Sequence, residues 1–452
     1  MIVAAAAAAP FLGLCGLLLL LRLWSYLCRN RTIGFFHPYA ASGGGGERVL
    51  FCALQALPTT AHVVIYLGDA ISAAQLLEDA HHRFNFEISD VKCKIDVVHL
   101  QYRHLLEAKY YPRFTLLGQS LGTLLVGLEA FVRHPVAVWI DTTGCAFTYP
   151  CAWLGGARVV TYTHYPTISM EMLGVVARRD VSYNNSADVA GSALKSMAKL
   201  WYYRCFAFLY GRVGAFADVV MVNSGWTFNH IRQLWRRTQP VVVYPPCGSA
   251  SFEAFPLPGR AANALSVSQF RPEKDHSLQL AAAKLLIEAH PDVVAKTNFK
   301  LVLLGSCRGA EDEARVAALR AECAKLGITS RVEFVVNAPY AQLKSYLATS
   351  LIGLHTMRNE HFGIGVVEMM AAGMVVIAHN SGGPAEDIVK PGTGFLATSA
   401  QEYADRMFQV LTSKENELVQ ADARLSSRRF TDEVFQDAFL AAMAPVLEDL
   451  EP

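Results

Sequence analysis

The chain has 452 residues, a length that allows about three domains of roughly 150 residues each. Its 40 lysines and arginines balance 39 aspartates and glutamates, which argues against nucleic-acid binding because that function needs a basic surface. Hydrophobic residues make up 52% and charged residues 17%, which excludes long disordered regions, and the mean hydropathy of +0.25 indicates contact with a membrane.

The first predicted element is the uncharged run Ile2–Leu21, which as a helix of about 1.5 Å per residue spans the ~30 Å core of a bilayer. Arg22, Arg29 and Arg31 follow it, so the positive-inside rule places the bulk of the chain in the cytosol. A cleaved signal peptide is the alternative, but it would need a basic start and a clear cleavage site. The sequence therefore predicts residues 1–29 as a single transmembrane anchor.

Ten cysteines are scattered along the chain, without a CxxC pair and without a histidine cluster at the spacing of zinc ligands. In a chain of this length we expect reduced, mostly buried thiols on the cytosolic side. The cysteines therefore indicate neither a structural zinc site nor a disulfide scaffold.

After the anchor, short runs of β-branched and apolar residues alternate with longer helical stretches, which is typical of parallel sheets covered by helices. The first series of predicted strands is Thr32–Phe36, His62–Leu67, Val97–Leu100, Val136–Asp141, Val159–His164 and Val219–Asn223. The second series is Asn263–Val267, Phe299–Leu304, Val332–Val335, Ser350–His355 and Val375–His379. The sequence therefore predicts an α/β protein with two open parallel sheets.

Prolines crowd residues 241–258 between the two series, which is typical of an interdomain linker. We therefore predict an N-terminal domain over residues 30–240 and a second domain over residues 259–430. Residues 431–452 are predicted as a C-terminal helix that could return to the N-terminal domain. Because ligands bind at the carboxyl ends of strands in open α/β sheets, the expected site is a cleft between the domains.

Four glycines, Gly43 to Gly46, follow the first predicted strand and precede a helix that we expect to begin at Glu47. Glycines let a backbone approach a ligand closely, and the first turn of a helix presents free amides to an anion. A flexible connecting loop is the alternative. The position directly after the first strand favours phosphate binding.

The strongest signal is the segment 355–368, where an apolar strand ends in a polar loop that leads into an apolar helix. Glu360 is predicted in the loop and Glu368 in the first turns of the helix. Gly363 and Gly365 leave the start of that helix open to an anion. One carboxylate can accept hydrogen bonds from sugar hydroxyls and the other from a ribose, although two ordinary surface glutamates would give the same pattern.

With both halves in view, the chain resembles retaining glycosyltransferases of the GT-B type, which have two Rossmann-like domains facing a central cleft. The two glutamates separated by seven residues match that family's signature. One branch is especially similar, the asparagine-linked-glycosylation α-1,2-mannosyltransferases of the endoplasmic reticulum. The strings that carry this likeness are GFFHPY, GGGGERV, THYPTIS, VNSGWT, QFRPEKDH and NEHFGIGVVEMMAAG, and the resemblance covers roughly residues 30–440.

The resemblance implies an enzyme that transfers the fourth and fifth mannoses from GDP-mannose to a dolichyl-diphosphate oligosaccharide. It implies a single-pass protein of the endoplasmic reticulum membrane with cytosolic catalytic domains, an N-terminal acceptor domain and a C-terminal donor domain. Association with other mannosyltransferases of the pathway is a further expectation. Two alternatives stay open: another membrane-bound GT-B enzyme, such as one in glycosylphosphatidylinositol synthesis, and a non-catalytic scaffold that binds a sugar nucleotide.

The resemblance also implies roles for residues of the donor domain. Glu360 would contact the donor mannose and Glu368 the donor ribose. Arg271 and Lys274, which follow the strand Asn263–Val267, would neutralise the donor diphosphate, where leaving-group charge must be stabilised. A solvated basic turn is the alternative for this pair.

In the acceptor domain, the resemblance implies that Gly44, Gly45 and Gly46 pass close to the same diphosphate. His164 closes an apolar strand and is followed by Tyr165-Pro166, so it could hydrogen-bond the donor sugar or assist proton movement. A structural histidine is the alternative. His37 and Asp141 are lesser candidates at neighbouring strand ends.

The chain contains no Asp-x-Asp pair of the kind that holds a divalent ion on a diphosphate in other sugar-nucleotide enzymes. We therefore expect no metal and no cofactor, with Arg271, Lys274 and backbone amides neutralising the leaving group. No carboxylate nucleophile is identifiable, so double displacement and same-face internal return both stay open.

Two internal segments are candidates for contact with a membrane. Residues 199–212 are dense in aromatic side chains with interleaved cations, a composition favoured at headgroup level. A buried interdomain helix is the alternative for this segment. Residues 116–132 contain Glu129 and several glycines, so we do not predict a second span there, although this segment could touch the bilayer surface.

Overall fold

The computed structural model describes residues 16, 19–84, 87–180 and 187–450. The chain forms two compact units. The first consists of Met1–Asn223, Thr227–Tyr244 and Phe435–Pro452, and the second of Ser224–Trp226 and Pro245–Val434. Most of the predicted anchor, residues 1–29, lies outside the described residues.

The first unit contains a parallel sheet of seven strands. These are β1 (Asn30–Phe36), β2 (His62–Leu67), β3 (Lys94–His99), β4 (Val136–Asp141), β5 (Arg158–Thr163), β6 (Val219–Val222) and β7 (Val241–Val242). Their order across the sheet is β3-β2-β1-β4-β5-β6-β7, and each neighbouring pair is parallel. Side chains of the inner strands are almost all buried, which explains why these strands read as continuous apolar runs.

Helices cover both faces of this sheet. They are α1 (Leu19–Cys28), α2 (Gly45–Ala56), α3 (Ala73–Phe84), α4 (Thr115–Arg133), α5 (Tyr149–Leu154), α6 (Met170–Arg178), α7 (Ala187–Ala190), α8 (Ala193–Gly214), α9 (Gly225–Leu234) and, from the end of the chain, α17 (Asp432–Leu447). Successive residues of a strand point to opposite faces, so Val63 and Ile65 pack with α2 and α17. Val64 and Tyr66 pack instead with α4, α5 and α8.

The second unit contains a parallel sheet of six strands. These are β8 (Ala261–Val267), β9 (Lys300–Gly305), β10 (Val332–Val336), β11 (Ser350–His355), β12 (Val375–His379) and β13 (Phe395–Ala397). They lie in the order β10-β9-β8-β11-β12-β13, and each neighbouring pair is parallel. The helices are α10 (His276–Ala289), α11 (Pro291–Thr297), α12 (Ala310–Leu326), α13 (Tyr340–Thr349), α14 (Ile364–Ala371), α15 (Ala400–Thr412) and α16 (Asn416–Ser427).

Each sheet has a point at which the strand order reverses. The first strand of the first sheet, β1, lies between β2 and β4, and the first strand of the second sheet, β8, lies between β9 and β11. In open α/β sheets, ligands bind at the carboxyl ends of the strands on either side of such a point. Ligands are therefore expected at the loops after β1 and β4 and at those after β8 and β11.

Most predicted strand ends lie within two residues of the observed ones, and three other boundaries differ in ways that matter. Val241–Val242, assigned to the linker, is the edge strand β7 of the first sheet. The edge strand β3 begins at Lys94, three residues earlier than predicted, because its exposed side chains interrupt the apolar pattern. Helix α2 begins at Gly45 rather than at Glu47, with Gly44 as its N-terminal cap.

Helix α4 is continuous through the glycines that argued against a second span at residues 116–132. A side chain at Gly122 would collide with the backbone of Leu105, and one at Gly127 would press on Thr148. The glycines therefore allow close packing rather than breaking the helix. Among the described residues, α4 is the one helix that is long and apolar enough to cross a membrane.

Candidate active site

The two predicted charged loops of the second unit meet at one carboxylate. The Lys274 Nζ atom lies 2.6 Å from the Glu360 Oε2 atom. The His355 Nε2 atom lies 3.2 Å from the same oxygen, so a lysine after β8 and a histidine at the end of β11 hold one glutamate. Both bonds are made to Oε2, and the Glu360 side chain is 16% exposed.

Opposing influences set the pKa of the Glu360 carboxyl. Burial raises it, but the hydrogen bond from His355 and the positive charge of Lys274 lower it more, so the pKa lies well below its usual range. Glu360 is therefore an ionised, acceptor-only group at neutral pH. It can bind hydroxyl groups but cannot serve as a proton donor there.

A second loop, between β12 and residue 384, fixes the backbone around this glutamate. The Asn359 N–H group donates to the Ser381 Oγ atom at 2.8 Å, and the Gly383 N–H group donates to the Glu360 carbonyl oxygen at 2.8 Å. A side chain on Gly382 would collide with that same carbonyl. Small residues are therefore needed here because the two loops touch through their backbones.

The two glycines at the start of helix α14 have different surroundings. Gly363 has a φ of +115°, a backbone conformation that disfavours other residues. A Cβ atom built at Gly365 would come no closer than 3.8 Å to its nearest neighbour, the Val267 carbonyl oxygen. Glu368 lies in the second turn of α14 and is half-buried. Free amides and an adjacent carboxylate thus occur together at this helix end.

The second predicted cation does not join this cluster. The Arg271 Nη1 atom lies 3.9 Å from the Glu273 Oε1 atom, and the Arg271 side chain is 39% exposed. The structure therefore places Lys274 against Glu360 and leaves Arg271 on the surface of the same loop. Of the predicted basic pair, Lys274 is therefore bound to Glu360, and Arg271 is exposed.

His355 is a site residue that the sequence analysis missed. Its backbone carbonyl accepts a hydrogen bond from the Tyr403 hydroxyl at 2.8 Å, and its side chain is buried. Within the described part of the chain its Nδ1 atom has no hydrogen-bond partner, so we assign the ring proton to Nε2, which faces the ionised Glu360. The sequence did contain a signal for His355 as a site residue. Like His164, it is the last residue of a predicted strand.

In the first unit, the structure brings the glycine loop and His164 together. A Cβ atom at Gly46 would lie 3.5 Å from the His164 Nε2 atom, so Gly46 leaves room for the imidazole. The His164 ring also contacts the edge of the Tyr162 ring, with centroids 4.9 Å apart. The loop after β1 and the end of β5 thus form one surface.

The side chain of Glu47, in the first turn of α2, folds back onto that loop. Its Oε2 atom accepts a hydrogen bond from the Gly44 N–H group at 2.6 Å, and its Oε1 atom lies 3.8 Å from the His37 Nε2 atom. Burial raises the pKa of Glu47, but the interactions with His37 and with Gly44 lower it further, so the carboxyl is ionised. An anion at the Gly44 amide would therefore compete with Glu47, which the sequence analysis treated only as a helix start.

The two lesser candidates have internal partners. The His37 Nδ1 atom lies 2.7 Å from the Thr142 hydroxyl, and the residue is buried. Asp141 is fully buried, and it accepts hydrogen bonds from the Tyr149 hydroxyl at 2.7 Å and from the Thr143 N–H group at 2.9 Å. Burial raises the pKa of Asp141. Asp141 is therefore part of a buried network and does not face a ligand.

The described residues contain no group of three or more histidine, cysteine, aspartate or glutamate side chains arranged to hold a metal ion. The nine cysteines in the described ranges all carry free thiols, and five of them are buried.

Two matches to known families cover most of the chain. Residues 30–235 match the ALG11 mannosyltransferase N-terminus, and residues 249–425 match glycosyl transferases group 1. The chain is 48% identical to the GDP-Man:Man(3)GlcNAc(2)-PP-Dol alpha-1,2-mannosyltransferase of Mus musculus, over 92% of this chain and 87% of that protein. The chain belongs to this mannosyltransferase family. The resemblance predicted from the sequence motifs is thereby confirmed.

Other relatives of the same name agree with this assignment. The Homo sapiens mannosyltransferase is 47% identical over 91% of this chain and 86% of its own length. The Dictyostelium discoideum mannosyltransferase is 40% identical over 92% of this chain and 85% of its own length. The family is thus matched over both units.

Solved structures share the architecture at low sequence identity. A glycosyltransferase from Rickettsia africae aligns with a TM-score of 0.62 at 15% identity, over 93% of this chain and 99% of that structure. Anabaena Alr3699/HepE in complex with UDP and glucose aligns with a TM-score of 0.61 at 17% identity, over 92% of this chain and 100% of that structure. These likenesses confirm the predicted GT-B fold of the mannosyltransferase, with two Rossmann-like domains.

Proposed function

We propose that this chain transfers mannose, in α-1,2 linkage, from GDP-mannose to Man(3)GlcNAc(2)-PP-Dol and so adds the fourth and fifth mannoses. The observation that carries this proposal is the cluster in which Lys274 and His355 hold the ionised Glu360 beside the open start of α14. It occurs in a chain that is 46–48% identical to proteins of Mus musculus, Xenopus tropicalis and Homo sapiens that bear the name of that activity.

The donor site is proposed to use three kinds of group. The free oxygen of Glu360 accepts hydrogen bonds from mannose hydroxyls, and Glu368 accepts them from the ribose. The amides at the start of α14 bind the diphosphate, as the first turn of a helix favours anions. Lys274 has three N–H donors, so it can bind a phosphate oxygen while it keeps its bond to Glu360. Arg271, exposed on the same loop, supplies further positive charge.

The first unit is proposed to contribute the surface formed by Gly44, Gly45, Gly46 and His164. Gly46 lies against the imidazole, so a group that approaches the loop also meets His164. We propose that His164 hydrogen-bonds the transferred sugar or moves a proton during transfer. Binding of an anion at Gly44 would release Glu47 from that amide.

We propose that catalysis needs neither a metal nor a cofactor. As mannose leaves, negative charge develops on the GDP diphosphate, and preorganised donors stabilise such charge. Lys274, Arg271 and the α14 amides are the groups that fill this role. This proposal rests on their placement and on the lack of an Asp-x-Asp pair in the sequence.

We propose a location in the endoplasmic reticulum membrane, with one N-terminal anchor and cytosolic catalytic domains. The uncharged run 2–21 and the arginines that follow it support this topology. Association with other mannosyltransferases that act on the same lipid-linked oligosaccharide is also proposed, since each product of such a series is the next acceptor.

The purified full-length protein, offered labelled GDP-mannose, GDP-glucose and UDP-N-acetylglucosamine, tests the function. With Man(3)GlcNAc(2)-PP-Dol as acceptor, we expect label from GDP-mannose alone and removal of the added residues by an α-1,2-mannosidase. Transfer of N-acetylglucosamine to phosphatidylinositol would instead support the alternative enzyme. Donor binding without transfer to any acceptor would support a scaffold. Either result would overturn the proposal.

A further inference from the structure

Helix α4 presents an apolar stripe to solvent. Its exposed side chains before the terminal Arg133 are all apolar, and they recur at intervals of four, three and four residues, which places them on one face. They are Leu121, Leu125, Leu128 and Val132, each between 41% and 54% exposed. A helix with such a stripe normally packs it against something.

Helix α8 presents a second stripe of the same kind. Trp201 is 62% exposed and Phe208 is 67% exposed, which is unusual for large side chains in a soluble protein. Leu194, Met197 and Cys205 are exposed on the same face at helical spacing. The opposite face of α8 packs into the core through Phe206 and Tyr210, so it is not the buried helix offered as an alternative for residues 199–212.

Helix α4, which carries the first stripe, contacts both α8 and α1. At its beginning, α4 contacts α8, since the Leu117 N–H group donates to the Tyr202 hydroxyl at 3.1 Å and the Phe114 ring meets the Tyr202 ring. At its end, α4 contacts α1 through Phe131 and Trp24, whose centroids are 5.8 Å apart. The exposed large side chains of α1 are Leu19, Leu20, Leu23, Trp24, Tyr26 and Leu27.

The charges on this surface favour lipid headgroups. Glu129, the acidic residue of α4, is only 6% exposed, because its carboxylate pairs with Arg133 and accepts backbone hydrogen bonds from Gln101 and Tyr102. Helix α8 has no acidic residue in its sequence and carries four cations, of which Lys195, Arg204 and Arg212 are exposed. Apolar side chains among aromatic and basic residues are typical of helices that lie in a membrane interface.

The packing of α4 against the core of the first unit limits how this helix could contact a bilayer. Val126, Ala130 and Phe131, on its inner face, are buried in the core of the first unit. A helix that spans a bilayer outside a protein assembly would expose its whole circumference to lipid, and α4 cannot do so without leaving this core. The long apolar sequence of α4 is therefore explained by its two faces. One face packs into the core of the protein, and the opposite face is suited to contact with lipid.

We propose that α1, α4 and α8 form a docking face that lies along the membrane surface, with its apolar side chains in the headgroup layer. The occupant is a lipid bilayer, because α1 overlaps the uncharged segment 2–21 in the sequence and contacts α4. The inference adds a second membrane contact to the proposed anchor. This inference rests on the proposed function in one respect only, which is that the lipid-linked acceptor would lie in the same headgroup layer.

A direct test places an environment-sensitive fluorophore on the full-length protein in vesicles that contain anionic lipid. Single cysteines at Leu125 and at Phe208, in a background with Cys28 and Cys205 changed to serine, are expected to report an apolar environment that lipid-borne nitroxides quench. The control is a cysteine at Gln75, an exposed residue of α3. Water-like signals at all three positions would overturn the proposal, and so would shielding at Leu125 without nitroxide quenching, which would indicate a protein partner.

A kinetic test uses the double variant Trp201→Glu/Phe208→Glu. We expect about a tenfold lower kcat/KM for the lipid-linked acceptor in vesicles, since the cost of placing charge in the interface weakens docking, and an unchanged KM for GDP-mannose. The control is Leu418→Glu, because Leu418 of the second unit is 63% exposed and should be indifferent. Equal effects of both variants would overturn the proposal. An inactive wild-type protein would refute the function, while the fluorophore test would still report docking.

Discussion

At the scale of single residues, the two glutamates differ in their surroundings, so their substitutions should differ in kinetics. Glu360→Gln removes an ionised acceptor beside the proposed mannose, and we expect kcat and kcat/KM to fall together. Glu368→Gln should mainly raise the KM for GDP-mannose. A hydrogen bond to a charged group contributes about 1.5–3 kcal/mol, so each defect should be roughly ten- to a hundredfold.

Steady-state kinetics over a range of GDP-mannose concentrations check this prediction. The reverse pattern, with Glu368→Gln abolishing turnover at unchanged donor KM, would show that the roles are exchanged. Glutamine is used because Glu360 is bonded to Lys274 and His355. These bonds could not be expected from the sequence alone. Alanine would leave a partly buried cation without its partner, and it would mix a folding defect with a catalytic one.

His355 is expected to act as a positioning residue through Glu360. In His355→Phe, burial still raises the pKa of Glu360 while one of the interactions that lower it is lost. The acid limb of the rate profile should therefore move to higher pH, and kcat/KM at neutral pH should fall about tenfold. His355→Gln, whose amide can still donate to Glu360, should restore the profile. Rates measured from pH 4 to 8 decide, and an unmoved acid limb in His355→Phe would contradict the positioning role.

The same carboxylate links stability to pH. Because its pKa in the folded protein is well below the usual range, Glu360 stabilises the fold fully above the pKa of an unfolded glutamate. That contribution is lost as the pH falls through the folded-state pKa. The contact with Lys274 that contributes to this behaviour could not be predicted, because it joins positions that are 86 residues apart in the sequence.

At the scale of secondary-structure elements, the conformation of one glycine sets the start of α14. Gly363→Ala forces a side chain into a φ of +115°, which we expect to lower stability by about 1–2 kcal/mol and to raise the KM for GDP-mannose, because the amides shift. Thermal unfolding and donor titration measure the two effects.

Gly327→Ala is the matched control for that substitution. Gly327 also has a positive φ, +73°, and follows α12 away from the proposed donor groups. It should lose comparable stability at unchanged donor KM. Equal changes in KM for the two variants would show that α14 has no special role in donor binding.

The sequence predicted best the strands whose residue pattern is determined mainly by burial. Strands such as β2 and β12 are buried on both faces, so apolar runs reveal them. The edge strands β7 and β13 have two and three residues, which is too short for a pattern to stand out. The packing role of Gly122 could not be predicted, because the sequence does not show which backbone a glycine touches.

At the scale of the whole molecule, topology can be tested by glycosylation. The chain has two sequons, Asn30-Arg31-Thr32 and Asn184-Asn185-Ser186. If the catalytic units are cytosolic, neither asparagine should carry a glycan when the protein is made in cells. A mass shift at Asn184 that an endoglycosidase removes would reverse the proposed orientation.

Metal dependence is a second property of the whole enzyme. We expect transfer to continue in excess chelator, because Lys274, Arg271 and amides are proposed to neutralise the diphosphate. The measurement is the rate after exhaustive treatment with EDTA, with and without added magnesium or manganese. Complete loss that a divalent ion restores would refute the metal-free proposal.

The return of α17 to the first unit has a consequence for synthesis. Phe435, Phe439 and Met443 fill the core beneath the first sheet, yet the ribosome makes them roughly 190 residues after Tyr244, where the main part of that unit ends. At about 5–20 residues per second, an incomplete first unit therefore waits for some 10–40 s. During that interval its apolar groove is open at the site of translation, and a chaperone that shields such grooves should be found on the nascent chain until its last helix emerges.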